Sequence, residues 1–187
     1  MKKLVLMLAL AVAALPAMAA SGDANFKLSL WDRIAVGIPN NIDSVTGVDL
    51  GIGSVADHVS GVQFDILYAN AKNDLVGIQW AWGYTVTPNF TGFQAAIYAK
   101  SDSFLGLQSG IVAQNTQDFT GVQWGGVNLT DSFTGVQLGF VNVAKSVNGL
   151  QWGFVNYTED IYGLQIGLLN IARNGWLPAM VFINGRF

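Results

Sequence analysis

Apolar residues along most of this chain alternate with Gly and Gln in runs of about ten, and short polar stretches separate the runs. The unit Gly-apolar-Gln starts at Gly61, Gly77, Gly92, Gly106, Gly121, Gly135, Gly149 and Gly163, with Gly47-Val48-Asp49 as a degenerate first copy. Successive spacings are 14, 16, 15, 14, 15, 14, 14 and 14 residues, so this is a tandem repeat. Two residues after each Gln, and after Asp49, stands Gly or Ala, Asp65 being the exception. Charge keeps the same beat. Residues 75–99, 132–144, 146–158 and 161–172 carry none, while Lys72, Asp74, Lys100, Asp102, Asp118, Asp131, Lys145, Glu159 and Asp160 fall between copies. They sit among Asn, Ser and Thr, where turns belong. Runs rich in Val, Ile, Phe and Trp, alternating with period two and almost free of Pro, predict one strand per repeat. Recurrent Gly argues against helix.

A strand at this interval suits two folds. A parallel solenoid stacks like residues in ladders, whereas an antiparallel meander joins strands by tight turns. Strict alternation through "NVAKSVN" points Lys145 the same way as Val143 and Val147, and Asp131 and Glu159 hold the corresponding positions. In a solenoid that would place charge in a thin core. A meander avoids the problem by using Ala144-Lys145-Ser146 as a turn. Gly139 then faces Gln151, Gln137 faces Gly153, and every Gln lies over a small residue. The sequence thus predicts an all-β chain: an antiparallel up-and-down meander of about ten strands closed into a small transmembrane β-barrel. Such a barrel would be structural or weakly pore-forming, with a Gly/Gln-lined interior. The alternative is a soluble β-solenoid, a secreted or periplasmic protein that binds a surface or partner through flat Gly/Gln ladders.

The remaining sequence places this unit in a cell. Lys2 and Lys3, an apolar run, then Pro16 and Ala17-Met18-Ala19 predict a bacterial signal peptide over residues 1–20, cut near Ala19/Ala20. Residues 21–45 read as an irregular N-terminal segment with one possible strand, and residues 46–187 as the repeat domain. Without the two leader lysines, seven basic residues stand against twelve acidic ones, a net charge near −5. No basic stripe exists to bind nucleic acid. There is no Cys, hence no disulfide and no thiolate metal site. The product is expected to be exported, to the outer membrane or alternatively to the periplasm or the extracellular space.

In the barrel reading Gln63, Gln79, Gln94, Gln108, Gln123, Gln137, Gln151 and Gln165 form an interior layer. Trp80, Trp124, Leu138, Phe140, Trp152, Phe154, Ile166 and Leu168 lie on the apolar face, with outer-membrane lipid as the expected partner. A soluble protein would turn that face into its core. The C-terminal "VFINGRF" has the form of a strand read by outer-membrane assembly machinery. Lys27, Arg33, Asp49, Asp65 and Arg186 make a candidate interior charge cluster in which Asp49 opposes Asp65, and two such carboxylates would raise one pKa or require a cation. A buried salt-bridge cluster is the plainer reading. His58, the only His, falls in a turn and is expected to be solvated. No His pair, phosphate loop or nucleophile elbow occurs, so the sequence predicts no enzyme, cofactor or metal, and names no protein partner.

The units "GVQLGFVN", "GLQWGFVN" and "GLQIGLLN" resemble those of bacterial surface-repeat proteins, exported chains with tandem Gly-Leu-Gln-x-Gly-Leu-Val-Asn units and an aromatic C-terminal tail. The resemblance covers roughly residues 45–187. It implies a surface location and carries no activity with it. Some members look like lipoproteins; this chain, lacking Cys, departs from that pattern.

Overall fold

The structure, a computed structural model, describes residues 23–40 and 42–187; the leader predicted over residues 1–20 lies outside the described residues. Strands make up 87% of these residues, and none of the described residues is helical. In order they are β1 (Ala24–Trp31), β2 (Ile34–Ile38), β3 (Ser44–Ala81), β4 (Tyr84–Val86), β5 (Asn89–Ser101), β6 (Ser103–Trp152), β7 (Val155–Ala172) and β8 (Ala179–Arg186). Straight, the fifty residues of β6 would span roughly 165 Å. Instead the long strands turn corners and wind as coils, each hydrogen-bonded to the next in parallel. Gly77, Ile78 and Gln79 pair with Gly92, Phe93 and Gln94, and those with Gly106, Leu107 and Gln108. Later coils keep the rule, Gly149, Leu150 and Gln151 pairing with Gly163, Leu164 and Gln165. The result is a β-solenoid of about seven turns.

The closed antiparallel barrel is therefore corrected in favour of the parallel alternative. Gln151 lies beside Gln165, not beside a glycine of an antiparallel neighbour. The reason is local. Ala144 and Val147 both point inward, while Lys145 and Ser146 between them are both exposed. Two consecutive outward residues make a corner and reset the alternation, so Lys145 turns to solvent without leaving the coil. Asp131 and Glu159 are likewise at this corner and no charge enters the core there.

Each coil is flattened between two corners, and its inward residues stack into columns. Phe90, Phe104, Phe119 and Phe133 form one, with rings 4.9–5.3 Å apart and nearly parallel; Leu75 precedes them and Val147 and Ile161 continue the apolar column. The Gly that opens each repeat has φ between 130° and 146°, a region that excludes other residues. At eight of these glycines a Cβ would lie about 2 Å from the carbonyl oxygen of the same Gly in the preceding coil, as at Gly135 against Gly121 (2.0 Å), and at Gly47 it would lie 2.2 Å from the carbonyl oxygen of Asn25. Strand spacing itself thus demands glycine nine times over.

Antiparallel strands close both ends. β1 runs parallel to the first coil of β3, and β2 folds back antiparallel onto β1. The sequence predicted one strand in this region and there are two. At the other end β8 pairs antiparallel with β7. The C-terminal segment does form a strand, and that strand caps the last coil.

Candidate functional site

The eight repeat glutamines are fully buried inside the coil. Each amide donates from Nε2 to the Oε1 of the preceding coil, from Gln165 down to Gln63, at 2.7–2.9 Å. Gln63 donates in turn to Asp49 Oδ2 at 3.4 Å. A carboxylate can only accept, so Asp49 fixes the direction of the whole ladder. The aligned amide dipoles present their positive end to Asp49, as a helix presents its N-terminus to an anion. A second ladder runs the other way: Asn128 donates to Asn142, Asn142 to Asn156 and Asn156 to Asn170, each at 2.8 Å. Opposed dipoles in one core offset each other.

At the N-terminal end of the Gln column Lys27 and Asp49 take the Gln positions in adjacent strands. Both are completely buried, with Nζ 3.4 Å from Oδ2. Ser29 Oγ donates to Asp49 Oδ1 at 2.9 Å, and Ser54 lies between Lys27 and Asp49, touching both. Asp65 is buried beside them. Desolvation first, then the charge of Asp49, pushes its carboxyl up to about 8, with Lys27 acting in the opposite sense. Of the five residues of the candidate charge cluster, these three come together. Arg33 does not: it pairs with Asp43 and Asp57 at a corner. Arg186 is exposed on β8, in register with Gly163 at the far end. Ser29 and Ser54, which sequence reading missed, complete the group; their only signal was a polar residue at an inward position.

The outside of the coil is divided as sharply as the inside. One corner carries the charges, tied between coils by Lys145–Asp131 at 2.7 Å and by Arg173–Glu159 and His58–Asp74 contacts. His58 is exposed there, against Asp74 and Asn73. The corner across the coil, next to the Gln-bearing strand, is aromatic and aliphatic. Trp124 (63% exposed), Phe140 (64%), Trp152 (60%), Phe154 and Leu168 project from it, Ile166 is also exposed, and Trp80 and Leu138 are half-buried. Phe140 stacks on Phe154 and Phe64 on Trp80, with ring centroids 5.2 and 4.2 Å apart. Trp82, Ile97 and Ile111 extend the row toward the N-terminus. Sequence reading missed those three, although each stands three residues after its Gln, as Phe140 does. Phe182 of β8 reaches the row from the cap with φ 68°, strained for a bulky residue. Two shallow apolar grooves meet at Trp124 and Phe140, making the edge continuous.

Comparison with known proteins gives no match: no family model, no curated protein and no solved structure is similar to this chain.

Proposed function

We propose that this is an exported, non-enzymatic surface-binding protein whose aromatic edge docks onto a lipid membrane, with the solenoid lying along the bilayer. One observation carries the reading. Over successive coils the two corners are opposite in chemistry, one charge-free and aromatic, the other charged and ion-paired. Exposed apolar surface this continuous marks an interaction or membrane site. The grooves along the edge are shallow and open, and its exposed Trp and Phe suit the headgroup boundary, into which they can sink to side-chain depth. The charged corner then stays in water. The binding surface is this edge rather than Gly/Gln ladders, because the Gln side chains are inside. Outer membrane, periplasm and extracellular space are all compatible addresses for such a protein.

Vesicle flotation tests the proposal. With a net charge near −5 the protein has no need of anionic lipid, so it is expected to float with uncharged zwitterionic vesicles and to stay bound at high salt. Replacing Trp124 and Phe140 together with Ser is expected to weaken binding at least tenfold, on the order of what losing two buried aromatics implies. Wild-type protein that stays at the bottom of the gradient would contradict the reading. So would a stable dimer that the same double variant converts to monomer, since the edge would then cover a second copy.

A further inference from the structure

We propose that Lys27 and Asp49 are joined by an intramolecular amide bond, formed with Asp65 as the proton-transfer group, which locks the N-terminal cap to the first coil. The proposal stands apart from the membrane reading.

The arrangement brings the two bonding groups together and buries a third carboxyl near them. Lys27 on β1 and Asp49 on β3 are direct partners across a parallel pair, both facing inward and both with no exposure. Their reacting groups are already 3.4 Å apart. Lys27 Nζ also donates to Val55 O at 2.6 Å and to Ser54 Oγ at 3.1 Å, which holds the amine in place. Both Asp65 oxygens are buried with no hydrogen-bond partner. Room for that carboxyl comes from Gly51, where a Cβ would lie 2.6 Å from Asp65 Oδ1 and 2.7 Å from Ser29 Cβ. Asp65 and Ser29, whose hydroxyl binds Asp49, thus flank the same glycine.

In this water-poor pocket the ammonium of Lys27 passes a proton to the Asp49 carboxylate, leaving a neutral amine and a neutral acid. Nζ attacks Asp49 Cγ, and the developing oxyanion at Oδ1 keeps the hydrogen bond from Ser29. Asp65, whose oxygens make no hydrogen bond at rest, turns onto the reacting pair, gives its proton to the departing hydroxyl and takes one from the attacking nitrogen. The C–N bond forms, the C–OH bond breaks and one water leaves. An amine and a carboxylic acid become an amide, with no oxidant or metal required. A cap in a chain without cysteine has no disulfide to pin it, and the amide would serve that purpose.

Mass spectrometry of the folded wild-type protein tests this. The expected result is a mass one water below that of the mature sequence, and, after proteolysis, a branched peptide joining Lys27 to Asp49. Lys27→Arg is expected to have the full mass. Asp65→Ala keeps both bonding groups and is expected to lose water far more slowly. Wild-type protein held folded at neutral pH that keeps its full mass, with Lys27 cut normally by a lysine-specific protease after denaturation, would overturn the bond and leave an ion pair. An Asp65→Ala protein that forms the bond at the wild-type rate would overturn the role given to Asp65.

Discussion

At Gly135 one hydrogen atom decides whether two coils can stack. Its φ of 130° and the carbonyl of Gly121 together leave no space for a methyl group. Gly135→Ala forces either the coil spacing or the local backbone to change, and is expected to destabilise the protein by about 3 kcal/mol or more, seen as a lowered thermal midpoint. Asp65 makes a different demand. Its carboxyl ionises at 3.8 as an ordinary group and at about 8 in the folded chain. Between those values the folded state holds a proton that the unfolded state has lost. Stability from this group is thus complete below pH 4 and falls as pH rises toward 8, by roughly 6 kcal/mol at most. The direction holds whether Lys27 and Asp49 are an ion pair or an amide, because desolvation is the largest cause. Asp65→Ala matches the Ala found at the equivalent position, Ala81. It is expected to reduce the loss of thermal stability between pH 5 and pH 8 relative to wild type; an unchanged loss would remove Asp65 from the account.

At the scale of the coil, the position of each Gln, the small residues beside it and the exclusion of charge from the strands were all legible in the sequence. Direction was not. Parallel and antiparallel stacking both lay Gln against something that fits, Gln on Gln in one case and Gln on Gly in the other. Lys145 was misleading, because alternation was carried through a corner that breaks it. The signal that separates the two folds lies in Phe90, Phe104, Phe119 and Phe133, which recur with the repeat. Parallel coils stack them into one column, as seen; a meander would send alternate members to opposite rims. Phe119→Ala, in the middle of that column, is expected to cost about 3–5 kcal/mol. In a structure where each coil touches only its neighbours, the lost protection in amide exchange should centre on the coils around Phe119 and fade toward the caps.

As a whole the molecule is a rod with two unlike edges and two closed ends. The apolar positions Trp124, Phe140, Trp152 and Phe154 could be read from the sequence, but what they border depends on fold: the outside of a barrel, a buried core, or a free edge. Only parallel stacking puts them in one line opposite the charges. The aromatic edge exists only in that stacking, and Lys145 with Glu159 tests it. In the solenoid the two positions are neighbours in register, flanked by the pairs Ala144–Thr158 and Ser146–Asp160, about 5 Å apart at the backbone. In a meander they would mark turns at opposite rims, roughly 30 Å apart for a strand of about ten residues. Because the chain has no cysteine of its own, a Lys145→Cys, Glu159→Cys protein can be labelled or oxidised without interference. An internal disulfide on mild oxidation, and strong dipolar broadening between spin labels at the two sites, are the expected results; labels separated by about 30 Å that never cross-link would contradict the solenoid and the edge built on it.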